Sequence, residues 1–159
     1  MPGAGGVLDV EAFEPGEIAG MRSAAWILVA TAALGALAWV ATRTSPPFTS
    51  AIDLFLGIQL LRLRHNWRAW AMLRAWIGLA IAAAICISSI AGSAGAATAA
   101  AGVVLGLGQG TYAGSLLLLL FGVPSMQRVT LGRIVFAVSI LLTIVGIVLM
   151  MFAAAPEPV

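Results

Sequence analysis

A chain of 159 residues that is 62% hydrophobic and 9% charged, with a mean hydropathy of +1.08, carries more apolar surface than a soluble domain of that length can bury. Lipid is therefore the solvent for most of it. The formal net charge of +2 comes with arginine as the sole basic residue type beyond one histidine, and the arginines border apolar runs, where they act as topology signals. Nucleic acid is excluded as a partner on that ground, and the single cysteine, Cys86, excludes an internal disulfide.

Residues 1–22 hold Asp9, Glu11, Glu14 and Glu17 among glycines and prolines, a composition that predicts an acidic, loosely ordered tail and no cleaved secretory signal. The first span is expected at 24–41, with Trp26 and Trp39 near its ends, Arg22 and Arg43 flanking it, and Pro46 and Pro47 stopping it.

In "SAIDLFLGIQLLRLRHNWRAWAMLRAW" one span across Ile52–Ala71 would bury Arg62, Arg64 and Arg68 in hydrocarbon. At roughly 2.5 to 3.5 kcal/mol each near the centre, that arrangement is ruled out. The stretch divides instead into a short helix at 51–62, too short to cross, and a second span at 67–91. Ser50 and Asp53 have capping-box spacing for the short helix, and Asn66 offers a cap for the span. On this parse the short helix lies in the interface or dips and returns, so the first span ends on the face where the second begins.

From Ala75 to Gln127 there is no charge at all. As one helix that run would measure about 80 Å against a hydrocarbon core of about 30 Å, so it must fold back, and Gly92–Gly95 is the expected turn. The third span is then 97–122, ended by Pro124, and the fourth is 134–153, followed by a short tail at 155–159. Counting arginines sets Arg22 alone against the remaining seven, which predicts both termini outside and the arginine-bearing connections in the cytoplasm. The expected fold class is an all-α membrane protein, a four-transmembrane-helix bundle with one extra short interfacial helix in a single domain from 23 to 154.

Candidate chemistry is sparse. His65 stands among Arg62, Arg64 and Arg68, which disfavour both its protonation and a metal ion, and no ligand set accompanies it. Neither metal nor cofactor is expected, and the chain reads as non-enzymatic. Asp53 is the sole acid between Glu17 and Glu157, and its helix-cap role competes with that of an intramembrane proton or cation site. Arg62, Arg64, Trp67, Arg68, Trp70 and Arg74 have the composition of a headgroup anchor, with Arg74 able to snorkel back to the interface. Together with Arg128 and Arg133 they form a candidate site for anionic lipid.

"GVVLGLGQGTYAG" sets Gly102, Gly106, Gly110 and Gly114 four apart. A phosphate loop is excluded, because Thr111 stands where a third glycine of G-x-G-x-x-G would fall and the chain has no lysine. The spacing is that of a glycine zipper, a groove that admits another helix at backbone distance, supplied by this chain, a second copy or a larger membrane complex. Gln109, Thr111 and Tyr112 beside it are expected to turn inward and bond across to Ser88, Ser89, Ser139 and Thr143, or to line a polar site.

The segment "LFLGIQLLRLRHNWRAWAMLRAWIGL", with G-I-x-L-L-R leading into a tryptophan and arginine cluster, resembles small bacterial four-helix integral membrane proteins without an assigned activity. The resemblance covers residues 50–80 and implies an architecture in the bacterial inner membrane; no functional residue carries over from it. Two functions fit the residues: a structural or accessory subunit that packs through the small-residue face of the third span, or a small transporter or channel using Gln109, Tyr112 and Asp53.

Overall fold

In the computed structural model, residues 14–42, 48–63, 66–92, 95–121 and 125–153 are described, and all their regular structure is helical. The helices are α1 (Pro15–Thr42), α2 (Phe48–Leu61), α3 (Asn66–Gly92), α4 (Ala96–Leu120) and α5 (Met126–Ala153). Four of them, Pro15–Leu37 within α1 and the whole of α3, α4 and α5, are long and apolar enough to cross a membrane. Large apolar side chains face outward along them, Leu37, Ile87, Leu141 and Phe152 among them, as lipid-solvated helices require.

The contacts divide into two compact units. One holds α1, α2 and the ends of α3, α4 and α5 within residues 1–71 and 119–129; the other holds residues 72–118 and 130–159. In the first unit α1 begins nine residues earlier than the composition suggests: residues 15–22 are helical, not a loose tail. Pro15 at the first position and Glu17 in the first turn suit a helix start, and Met21 and Ser23 are buried. Residues 1–13 and 154–159, which include most of the acidic tail and the C-terminal tail, lie outside the described residues.

The course of α2 answers what its length left open. Ser50 packs against Gly35, and a Cβ at Gly57 would lie 2.8 Å from Val29 Cγ2 and 3.0 Å from the Ala25 carbonyl oxygen. The helix thus runs antiparallel back along α1, and does not lie flat. Its outer residues Phe48, Ile52, Phe55 and Ile58 are apolar and exposed, which suits hydrocarbon. Fourteen residues return the chain by about 21 Å, so α3 starts level with the beginning of α1, where the sequence parse set it level with the end. The cap assignment also changes, because α2 begins at Phe48, directly after Pro46 and Pro47; Ser50 and Asp53 are interior, and Asp53 is 3% exposed.

α2 ends without a glycine. Arg62 N–H donates to Ile58 O (3.2 Å), Leu63 N–H donates to Leu60 O (2.9 Å), and Leu63 takes a left-handed φ of 52°. That conformation costs a non-glycine residue roughly 1–2 kcal/mol, and the leucyl side chain it places is buried.

The second unit is organised around α4. Gly102, Gly106 and Gly110 face α3, against Ser89, Cys86 and Ala82, while Gly108 faces α5. Residues 106 and 108 are about 200° apart around the helix, so the two neighbours sit on different sides of α4. A Cβ at Gly106 would meet the Ala82 carbonyl oxygen at 3.1 Å; one at Gly108 would meet Thr143 Oγ1 at 2.8 Å; one at Gly146 would meet Leu105 at 2.7 Å. Both pairings are antiparallel, as their falling-against-rising numbers require.

Gly57→Leu is expected to lower the unfolding midpoint of the detergent-solubilised protein, by the about 1–3 kcal/mol typical of overpacking, since the β-branched Val29 side chain and the Ala25 carbonyl oxygen both stand within 3.0 Å of the added Cβ. Gly92→Ala, with nothing within 4 Å, should leave the same thermal melt within about 0.5 kcal/mol.

Candidate functional site

The arginine-rich end of the first unit is built on one guanidinium. Arg68, in the first turn of α3, forms an ion pair through Nη1 with Glu17 Oε1, each side chain 12% exposed, and its Nε donates to the Leu120 carbonyl oxygen at 2.7 Å. That carbonyl is the last of α4 and has no partner within its own helix, so a cation is the fitting cap. Glu17 sits at the helix end where a carboxylate is favoured. One side chain thereby fixes the starts of α1 and α3 and the end of α4 at one level.

The headgroup anchor expected from the sequence is therefore divided. Arg68 faces inward, Arg62 and Arg128 are exposed, and Trp70 is exposed. Trp67 packs edge-on against Phe55, with ring centroids 5.0 Å apart, tying α3 to α2. Arg133 is exposed on α5, and Arg64 and His65 lie outside the described residues. Arg74 does not snorkel back: its Nη1 lies 3.5 Å from the position a Gly78 Cβ would take, one turn deeper along α3. The Gln109 amide nitrogen is 3.7 Å from the same point, so the missing side chain at Gly78 gives two polar groups room in the α3–α4 contact.

Four hydroxyls expected to bond across helices donate within their own helices instead. Thr111 Oγ1 donates to Leu107 O and Gly108 O (2.9 Å each), Ser139 to Phe136 O, Thr143 to Ser139 O and Ser88 to Ile85 O. Each hydroxyl satisfies itself on its own helix, which removes the need for a partner in lipid. Tyr112 is buried, with its ring 6.3 Å from that of Phe136 on α5. Ser115, buried on the same helix, bonds Tyr112 O at 2.7 Å.

Of the glycine ladder, three rungs are filled by α3. Gly114 has nothing within 4 Å, and it opens into an apolar groove of about 540 Å³ lined by Leu79, Ala83, Leu107, Gly110, Thr111 and Leu118, among others. Sequence reasoning missed Gly57, Gly78, Gly108 and Gly146 as contact points; Gly57, Gly78 and Gly146 are isolated glycines in apolar helices, a signal that was present, and Gly108 stands within the ladder but off its stripe. It also missed Glu17, hidden in an acidic segment read as tail.

Fold and contacts together define an all-α, multi-pass membrane protein. No family model matches the chain, and neither a similar curated protein nor a similar solved structure is found.

A double-mutant cycle on Glu17→Gln and Arg68→Gln, read by unfolding in mild detergent, should return a coupling of about 0.5–3 kcal/mol. Arg68→Gln alone should cost more than Glu17→Gln alone, because it also strips the cap from Leu120.

Proposed function

We propose that the protein is a non-enzymatic membrane protein, a structural or accessory subunit that assembles with a second copy of itself through the outward face of α4. The observation behind this reading is the open fourth rung. Leu107, Gly110, Thr111, Gly114 and Leu118 recur at i, i+3, i+4, i+7 and i+11 along the groove, the spacing of one helical face. The same small-residue spacing already seats α3 at backbone distance one turn further along the helix. A small-residue face on a lipid-exposed helix is self-complementary under two-fold symmetry, so a second α4 fits it.

The membrane orientation forms part of the same reading. Arg22, Arg62, Arg68 and Arg128 are borne where α1 and α3 start, where α2 ends and where α5 starts. The positive-inside rule then sets that end in the cytoplasm, with the Pro15 end of α1 inside and the Ala153 end of α5 outside. This replaces an outside position for both ends, because the Glu17–Arg68 pair brings the start of α1 to the arginine side. On the resemblance of residues 50–80, the membrane is the bacterial plasma membrane.

Gly114→Leu should convert a dimer to a monomer by light scattering in mild detergent, with helix content kept. Gly106→Leu should instead lower stability, by about 1–3 kcal/mol or more, because the Ala82 and Cys86 backbone opposes it. A wild-type monomer at micromolar concentration, or a dimeric Gly114→Leu protein, would sink the assembly reading. For orientation, maleimide labelling in a Cys86→Ala background should reach Glu14→Cys and Arg128→Cys from one face and Ala153→Cys from the other.

A further inference from the structure

We propose that Asp53 is a proton-binding site, a carboxyl that carries its hydrogen at neutral pH inside the seam between α1 and α2. Asp53 is 3% exposed, and it stands on one stripe of α2 between two contacts with α1. Three residues before it, Ser50 meets Gly35; four residues after it, Gly57 meets Ala25, Leu28 and Val29. Asp53 therefore faces the stretch of α1 from Val29 to Gly35, where Ala32 is buried. That stretch, "VATAALG", has no charged or titratable residue, and α2 has none besides Asp53 itself. The described arginines of the hairpin, Arg22 and Arg62, belong to its other end; Arg62 is nine residues beyond Asp53, about 14 Å along the helix axis. Arg43, past the end of α1, lies outside the described residues.

Away from the seam, Ile52, Phe55 and Ile58 on α2 are exposed and apolar, so hydrocarbon and not water surrounds the hairpin at this level. A carboxylate in that place loses its hydration and faces a helix stretch that carries no positive side chain. The neutral acid loses far less, because its O–H donates to any helix carbonyl within reach while its other oxygen accepts. The proton is bound by forming one O–H bond and released by breaking it, and no electron changes hands. Release leaves a charge between two packed helices, so loss of the proton and parting of α2 from α1 are linked, and the hairpin responds to the proton supply at the membrane. The site is independent of the assembly through α4.

The test is carbodiimide modification of the full chain in mild detergent at neutral pH, read by peptide mass spectrometry. The reaction needs the acid form: the carboxyl proton passes to a reagent nitrogen, the carboxylate oxygen adds to the central carbon, and the acylisourea rearranges to a stable N-acylurea. Dicyclohexylcarbodiimide enters hydrocarbon, and a water-soluble carbodiimide does not. Glu14, exposed at the start of α1, is the reference within the same molecule. The dicyclohexyl reagent should favour Asp53 over Glu14 by about tenfold or more, and the water-soluble reagent should reverse the ratio. Asp53→Asn should lose the adduct and keep the wild-type circular dichroism spectrum, because an amide matches the neutral acid in shape and charge. Absence of an Asp53 adduct with both reagents, the result of a carboxylate paired with Arg43, would overturn the proposal. So would one Asp53-to-Glu14 ratio for both reagents, the result of a carboxyl open to water. An adduct that persists in Asp53→Asn would place the reactive carboxyl elsewhere and overturn it too, and the wild-type ratios decide the question even where that variant does not fold.

Discussion

In hydrocarbon, helices gain nothing by hiding apolar surface from one another, so their association depends on how closely backbones approach. This chain meets that constraint with glycine at each close contact. Gly57 admits α1 to α2, Gly102 and Gly106 admit α3 to α4, Gly108 admits α5 to α4, and Gly146 admits α4 to α5. Dispersion and weak Cα–H···O contacts at such distances are individually small, and they add along a seam that runs several turns. The hydroxyl side chains follow from the same constraint. Bonded back to their own carbonyls, Thr111, Ser139 and Thr143 add bulk without demanding a partner, and so leave the packing to the glycines.

Polar strength is concentrated at one end. A guanidinium that holds both a carboxylate and a helix-terminal carbonyl satisfies several groups with one side chain, and it does so where burial makes an unmet group expensive. Arg68 is thus a structural residue, although Ala69 and Trp70 beside it are exposed. The difference between Arg68 and Arg62 is one of position relative to helix ends: Arg68 lies inside the first turn of α3 next to two other termini, and Arg62 lies in the turn after α2.

The four crossing helices were legible because the length and continuity of apolar runs against a fixed membrane thickness leave few alternatives. The direction of α2 was not, since fourteen residues fall below a crossing length and the pattern of Asp53, Leu56, Gly57 and Leu60 says that one face is buried without saying on what. The inward turn of Arg68 was equally hidden, because its partners are seventeen residues from the start of the chain and in a backbone carbonyl that no side-chain pattern marks. The occupant of the ladder, by contrast, had left a trace. Gly78, Ala82, Cys86 and Ser89 form a small-residue stripe on α3 at the complementary spacing, and two such stripes on consecutive helices joined by a short turn imply each other.

That pairing separates two roles that a glycine ladder leaves merged. Rungs that receive a neighbour from the same chain contribute to folding, and replacing them tests stability whatever the protein does. A rung with open space contributes nothing to the monomer, yet a larger side chain there would fill a groove that otherwise admits lipid tails. Gly114 also carries the entropic cost of glycine in a helix, roughly 0.5–1 kcal/mol relative to alanine, while no described residue of a neighbouring helix lies within 4 Å of where its Cβ would be. In the proposed assembly that cost would be met outside the monomer, since the narrow approach that glycine permits is what a second helix in the membrane requires.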